Sequence, residues 1–239
     1  MGIKEKYQVK STDKYKGKEW FLKKHYANRI PNSMYCFGLY ENKFLIGICN
    51  FGIPANSSYG SEFVELNRLV VNDGLEKNVL SFFVSSSLKL LPKPIKIVSY
   101  ADSGMNHNGY IYQATNWIYT GMSSSDTNWT KNGRTYHRKS LGDKYGQSGQ
   151  EFLLSKGYGM KKEFPKHRYF YVIGNNKKET EKLKTEIIKR FGHEEYPKGQ
   201  NKRYDSSYNP TIQTELFWKN KSAVGKFKIL FILRVSKSF

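Results

Sequence analysis

Residues 95–121, IKIVSYADSGMNHNGYIYQATNWIYTG, limit the fold more than any other part of the chain. Their apolar, β-branched start, bounded by Pro92 and Pro94, has the length and composition of a buried strand and stops at Ala101 and Asp102. The polar run Ser103-Gly104-Met105-Asn106, then His107-Asn108-Gly109, separates this strand from Tyr110, Ile111, Tyr112, Ala114 and Trp117, which recur at the spacing of a short amphipathic helix. A strand, a loop and a helix in that order make an α/β unit. In such sheets ligands bind in the crevice beyond the carboxyl ends of the strands, so Asp102, His107 and Tyr112 fall where chemistry is expected. A plainer reading makes Asp102 a turn cap, His107 a surface residue and the tyrosines core, and spacing alone does not choose between the two.

The flanking elements extend the pattern. Residues 19–27 read as a helix ended by Asn28-Arg29-Ile30-Pro31, which leaves His25 and Tyr26 near its C-terminus. Residues 35–40 and 43–51 form a β-hairpin joined by Glu41-Asn42. Residues 62–71 alternate as a strand with Val64, Leu66, Arg68 and Val70 on one face. Residues 75–91 give the clearest helix, with Asn72 or Asp73 as its cap. Its run Ser85-Ser86-Ser87 lowers helix propensity and points either to close packing or to a hydroxyl needed nearby. A short helix at 151–156, a strand at 168–173 and an amphipathic helix at 179–191 follow. The apolar run 227–235 is too short to cross a bilayer.

Charge is distributed unevenly. Residues 1–121 hold 15 basic and 9 acidic side chains, residues 122–239 hold 25 and 11, and the net charge is +20. Combined with 15% aromatic residues, that excess suits a polyanion whose phosphates meet Lys and Arg while bases stack on rings. A merely basic surface is the alternative. Residues 122–166 read as a long polar excursion in which Trp129, Tyr136 and Tyr145 interleave with Lys131, Arg134, Arg138, Lys139 and Lys144, the mixture of a nucleic-acid groove. DNA binding is assigned to Trp129, Lys131, Arg134, Arg138, Lys139 and Lys144, with 198–204 as a second basic stretch. Cys36 and Cys49 are too few for a disulfide framework and are expected as reduced core residues. No apolar leader or membrane-length segment occurs, which predicts a cytoplasmic protein without membrane partners.

The order of elements resembles the GNAT acyltransferase fold. Within it FGIP, ELNRLVV and SYADSGMNHNGYIYQATNWIYTG resemble the Mom family of bacteriophage DNA-modification proteins over roughly residues 18–174. The resemblance implies an α/β (α+β) protein with a mixed central sheet flanked by helices. It would divide into a catalytic domain at 1–175, carrying a basic insertion at about 122–166, and a basic C-terminal extension at 176–239. It also implies an enzyme that converts the N6 amine of adenine in double-stranded phage DNA to an acetamido (carbamoylmethyl) adenine, which blocks host restriction. Residue by residue, the family's catalytic positions fall on Arg68, Ser87, Asp102 and Tyr112, and its iron site on His25, Tyr26 and Asp102. The group donor is not identified. Acetyl-CoA is not the expected donor, because residues 71–77, VNDGLEK, carry one glycine and two carboxylates where a pyrophosphate loop would need backbone N–H groups free of negative charge. Two other readings stand beside this one: a conventional acyl-CoA-dependent GNAT N-acyltransferase, and a DNA-binding protein without catalysis.

Overall fold

The structure is a computed structural model that describes residues 2–125, 127–136, 138–199, 209, 210, 212 and 213. After a single turn, α1 (Ile3–Lys6), the chain runs through β1 (Tyr7–Ser11), β2 (Tyr35–Glu41), β3 (Phe44–Gly52), β4 (Phe63–Val71), α2 (Val79–Lys89), β5 (Ile95–Asp102), α3 (Tyr110–Ala114) and β6 (Ile118–Met122). An inserted lobe follows, built from β7 (Thr127–Lys131), β8 (Arg134–Tyr136), α4 (Arg138–Tyr145), α5 (Gln150–Ser155) and β9 (Gly159–Lys162). The main sheet is then rejoined by β10 (Lys166–Ile173), and α6 (Lys177–Phe191) and the short β11 (Ile212–Gln213) complete the described elements. The main sheet has the order β1-β2-β3-β4-β5-β10-β6, with β11 added on β3. The pairs along it are antiparallel except β4 with β5. This is a mixed α/β fold with a mostly antiparallel central sheet flanked by helices, as the sequence predicts.

Both faces of the sheet are covered. On one, Val79, Phe83, Val84 and Leu88 of α2 pack with Leu39, Cys49, Phe51, Leu66 and Ile97. On the other, Ile187 of α6 joins Tyr59, Phe63, Val98, Phe170 and Val172, while Trp20 and Phe21 join Ile48 and Val70. The β2–β3 hairpin turns through Asn42 and Lys43, both at positive φ (46° and 73°), one residue later than the sequence suggests. Cys36 and Cys49 are free and buried. Among the described residues no helix is long and apolar enough to cross a membrane; the apolar run 227–235 lies outside them.

Three local expectations are corrected. The helix expected at 19–27 is one wide turn, Trp20–Lys24, closed by a bond from the His25 N–H to the Trp20 carbonyl (2.8 Å). Helix α2 starts at Val79 rather than 75, and its N-cap is Asn78 in the left-handed region without a side-chain cap. Asn72 instead accepts from the buried Trp20 Nε1 (3.0 Å) and donates to the Pro210 carbonyl (2.7 Å), while Asp73 pairs with the buried Lys24. Third, α6, placed by the sequence in an extension, belongs to one of the two main helical layers.

Residues 122–166 are likewise a folded unit. Strands β8, β7 and β9 make a second sheet, and Trp129, Leu141, Leu153 and Tyr158 close a small core beneath it. Trp129 is 2% exposed, so it is the centre of that core and not a surface ring for stacking on bases. Truncation of such a residue leaves a cavity, and Trp129→Ala should cost the lobe about 3–5 kcal/mol. Hydrogen exchange should rise across 127–162 with the main sheet unchanged; a loss under about 0.5 kcal/mol, normal for surface positions, would contradict the placement.

Candidate active site

The site begins where two strands part. Parallel pairing of β4 and β5 covers only Phe63↔Lys96, Val64↔Ile97 and Glu65↔Val98. Beyond that point the Leu66 carbonyl is taken by the buried Ser99 hydroxyl (2.7 Å), and the Asn67 carbonyl by Arg68 Nη1 (2.5 Å). Side chains thus replace the ladder that the separating strands give up, as buried backbone groups require. Ser99 has one proton. Since the Leu66 carbonyl can only accept, the Tyr112 phenol donates to Ser99 Oγ across 2.7 Å.

A β-bulge sets which side chains face the opening. The register of β3 with β4 shifts so that Asn50↔Arg68 is followed by Phe51↔Leu66, leaving Asn67 as the extra residue. Leu66 and Leu69 therefore pack on the α2 side, while Arg68 falls on the opposite face, towards Tyr26 and Glu65. Strict alternation, which puts Arg68 on the same face as Leu66, fails at this one residue. Asn50, opposite the bulge and fully buried, holds it by donating to Asn67 Oδ1 (2.8 Å) and to the Asn32 carbonyl (2.9 Å).

Asp102 ends β5. Its Oδ1 accepts the Gly104 N–H (2.9 Å), and the turn it caps brings the His107 N–H back to the Asp102 carbonyl (3.1 Å). The cap reading is therefore correct for one carboxylate oxygen. Gly109, at φ 72°, starts α3 against Tyr169, whose Cε2 would lie 2.3 Å from an added Cβ, so only glycine fits. His25 and Tyr26 are stacked at 4.4 Å, and Tyr26 meets His107 edge-on at 6.2 Å.

Burial, with smaller effects from Arg68, His107 and Arg29, pushes the His25 imidazole down to about 3. Burial and the Asp102 charge push the Tyr26 phenol up to about 12. Burial lowers His107 and Arg68 and raises Glu65, which is partly offset by the Ala55 N–H and by Arg68, Lys166 and Arg29. A neutral imidazole and a neutral phenol are thus stacked near the buried guanidinium, and Asp102 acts on the phenol. Arg68 is 9% exposed, and its Nε has no hydrogen-bond partner.

The four residues expected to be catalytic divide between the faces. Arg68 and Asp102 share the open one. Ser87 is fully buried in α2, its hydroxyl directed at the Cys49 thiol, and Tyr112 is buried at 7%, reaching the opening through Ser99. Glu65, Arg29 and Lys166 join the cluster; the sequence does not mark them, because their convergence depends on the bulge and on the β5–β10 register, which sets Lys166 opposite Asp102.

The profile of the Mom protein family matches residues 6–198. The chain belongs to the Mom protein family. The methylcarbamoylase mom of Escherichia phage Mu is 27% identical over 182 residues, which cover 70% of this chain and 74% of that one. Among solved structures, a GNAT family acetyltransferase from Elizabethkingia anophelis with acetyl-CoA bound is 12% identical with a TM-score of 0.39, covering 71% of this chain and all 100% of its own. An N-acetyltransferase from Staphylococcus aureus Mu50 is 11% identical with a TM-score of 0.41, covering 70% and 98%. Nothing about function follows from similarities of that size.

The iron site suggested by likeness to the Mom family does not fit His25, Tyr26 and Asp102 as they are held. His25 Nδ1 accepts the Ala27 N–H (3.0 Å), which puts the ring proton on Nε2, whereas a ligating imidazole gives away one N–H and offers the other lone pair. Arg68 and Arg29 add positive potential beside His25 and Tyr26.

The basic residues assigned to DNA lie on the inserted lobe. Arg134, Arg138 and Lys144 are exposed; Arg138 Nε also donates to the Ser148 carbonyl (3.1 Å), Lys131 to the Lys156 carbonyl (2.5 Å), and Lys144 lies 4.9 Å over Tyr145. The Lys139 side chain and residues 200–204 lie outside the described set.

Because His25 folds as a neutral ring with its pKa at about 3, the unfolded chain binds a proton below about pH 6.5 that the folded chain refuses. Stability should therefore fall as pH drops from about 6.5 towards 5, by up to about 1.4 kcal/mol per pH unit from this group. Chemical denaturation at several pH values should show a flatter profile for His25→Gln; identical slopes would place His25 in solvent.

Proposed function

We propose that this protein is a DNA-modifying enzyme that transfers a carbamoylmethyl (acetamido) group to the N6 amine of adenine in double-stranded phage DNA. Membership of the Mom family supports phage DNA modification, and the name methylcarbamoylase of its phage Mu relative supports transfer of an amide-bearing group. The observation that carries the reading is the buried, incompletely bonded Arg68 at the parting of β4 and β5, on the same face as Asp102.

The N6 amine is a poor nucleophile because its lone pair is delocalised into the ring, and the base must leave the stack to be reached. In this reading the Asp102 carboxylate takes the N6 proton as nitrogen bonds to the methylene carbon of the incoming group, while that carbon's bond to the donor's leaving group breaks. Arg68 holds an anionic part of the donor through the donors left unmet in the free protein. Tyr26, kept as a phenol, can donate a hydrogen bond to either reactant. Ser99 and Tyr112 brace β5 from behind and position Asp102. An N6 substituent alters the donor that adenine shows in the major groove, which is what a restriction enzyme reads.

The turn before α2 supports a donor other than acyl-CoA. Asn209 Oδ1 accepts the Asp73 N–H (2.8 Å), and the Pro210 carbonyl accepts from Asn72, so the segment that would cradle a pyrophosphate is covered by the chain's own residues.

Nucleoside mass spectrometry of DNA from cells expressing the protein should find deoxyadenosine carrying one carbamoylmethyl group. An acetylated adenosine would support the acyltransferase alternative, and unmodified DNA would reject both. Asp102→Asn keeps an oxygen for the Gly104 N–H, so it should fold normally and lose about 10²–10⁴ of the rate. Arg68→Gln should abolish modification with Tm unchanged or raised, because it removes a desolvated, incompletely bonded cation; a matching loss of Tm and activity would make Arg68 structural.

A further inference from the structure

Three aromatic residues, in α3, just before β6 and in the lobe, are closed to a base. Tyr112, Trp117 and Trp129 are 7%, 1% and 2% exposed. One ring that the sequence does not single out is placed differently. Phe164, in the link from β9 to β10, is 66% exposed, yet its position is fixed. It rests on Gly104, where an added Cβ would lie 2.7 Å from Phe164 Cδ2 and 3.2 Å from Asp102 Oδ1, so ring and carboxylate are neighbours across the glycine. The link is tied down on both sides of the ring: Ser103 Oγ donates to the Pro165 carbonyl (2.5 Å), and Glu163 accepts from Asn128 Nδ2 (2.8 Å). Lys161 and Lys162 precede it on an exposed strand, and Lys166 follows it opposite Asp102. A rigidly presented aromatic face among cations, beside the carboxylate of an active site, has the chemistry that binds a nucleobase by stacking while its phosphates meet the lysines.

We infer that Phe164 stacks on the base presented to Asp102. The inference rests on the adenine reading above and adds to it the residue that receives the extruded base. Gly104 matters for the placement of the ring, since an added side chain there would displace it.

The test uses the full chain. Phe164→Trp places an indole at this position. Trp20, Trp117 and Trp129 are buried, Trp218 lies outside the described residues, and wild-type protein supplies the baseline for all four, so titration with an adenine-containing duplex should quench emission beyond the wild-type change. In cells, Phe164→Ala should lower carbamoylmethyl-adenine by about tenfold or more, the loss expected when one base loses its stacking partner, and Phe164→Tyr should retain it. Absence of extra quenching, or an alanine variant that modifies DNA like wild type, would overturn the inference. If wild type yields no modified adenine, the functional reading fails, and the quenching alone decides whether Phe164 stacks on DNA.

Discussion

A buried carbonyl needs a partner, and two separating strands leave a row of them without one. The site depends on how this chain meets that need. Where β4 and β5 part, Ser99 reaches over to the Leu66 carbonyl and Arg68 folds back on the Asn67 carbonyl. These bonds keep the opening from closing into an ordinary ladder. They also determine what Arg68 has left: one nitrogen bonded to the backbone, Nε unmatched and little water. Opening and binding group are consequences of the same pairing problem.

The sequence made much of the scaffold legible, for identifiable reasons. The hairpin, β4, β5, α2 and α6 follow from periodicity, Pro boundaries and turn residues, which are local signals. What it hid was non-local. The bulge at Asn67 is stabilised by Asn50, seventeen positions away, and nothing in ELNRLVV announces it, so the alternation was carried one residue too far. Helix α2 begins late because Asn72 and Asp73, good caps in isolation, are claimed by Trp20, Lys24 and Pro210. The insertion looked like a nucleic-acid groove because charge outnumbers apolar residues in it, but four apolar side chains suffice to give it a core. Asp102 was legible as a strand-end acid; Phe164, between Glu163 and Pro165, carries no periodic mark.

The charge pattern of the site is asymmetric in a way that composition does not reveal. Net charge is +20, yet burial pushes the His25 and His107 rings towards neutrality, and burial with the Asp102 charge keeps the Tyr26 phenol protonated. Positive charge at the opening is carried by Arg68, with Arg29 and Lys166 close enough to Glu65 to act on it. Around it the scaffold is closed by distant segments: α6 on the face that bears Arg68, and residues 209 and 210 over the turn before α2.

The inserted lobe leaves and re-enters the sheet at adjacent points. The Ser123 N–H donates to the Lys166 carbonyl (2.8 Å), and the Lys166 N–H to Ser123 Oγ (3.0 Å), so the two ends of the lobe are joined between β6 and β10. Topologically it is an elaborated hairpin loop, and loop closure depends only weakly on how much chain the loop contains. The size and contents of the excursion are consequently almost independent of the strands that carry Asp102 and Arg68. A chain organised in this way can change the surface it presents to a polymer by rewriting 124–162, while Phe164, Pro165 and the strands that carry Asp102 and Arg68 stay where they are.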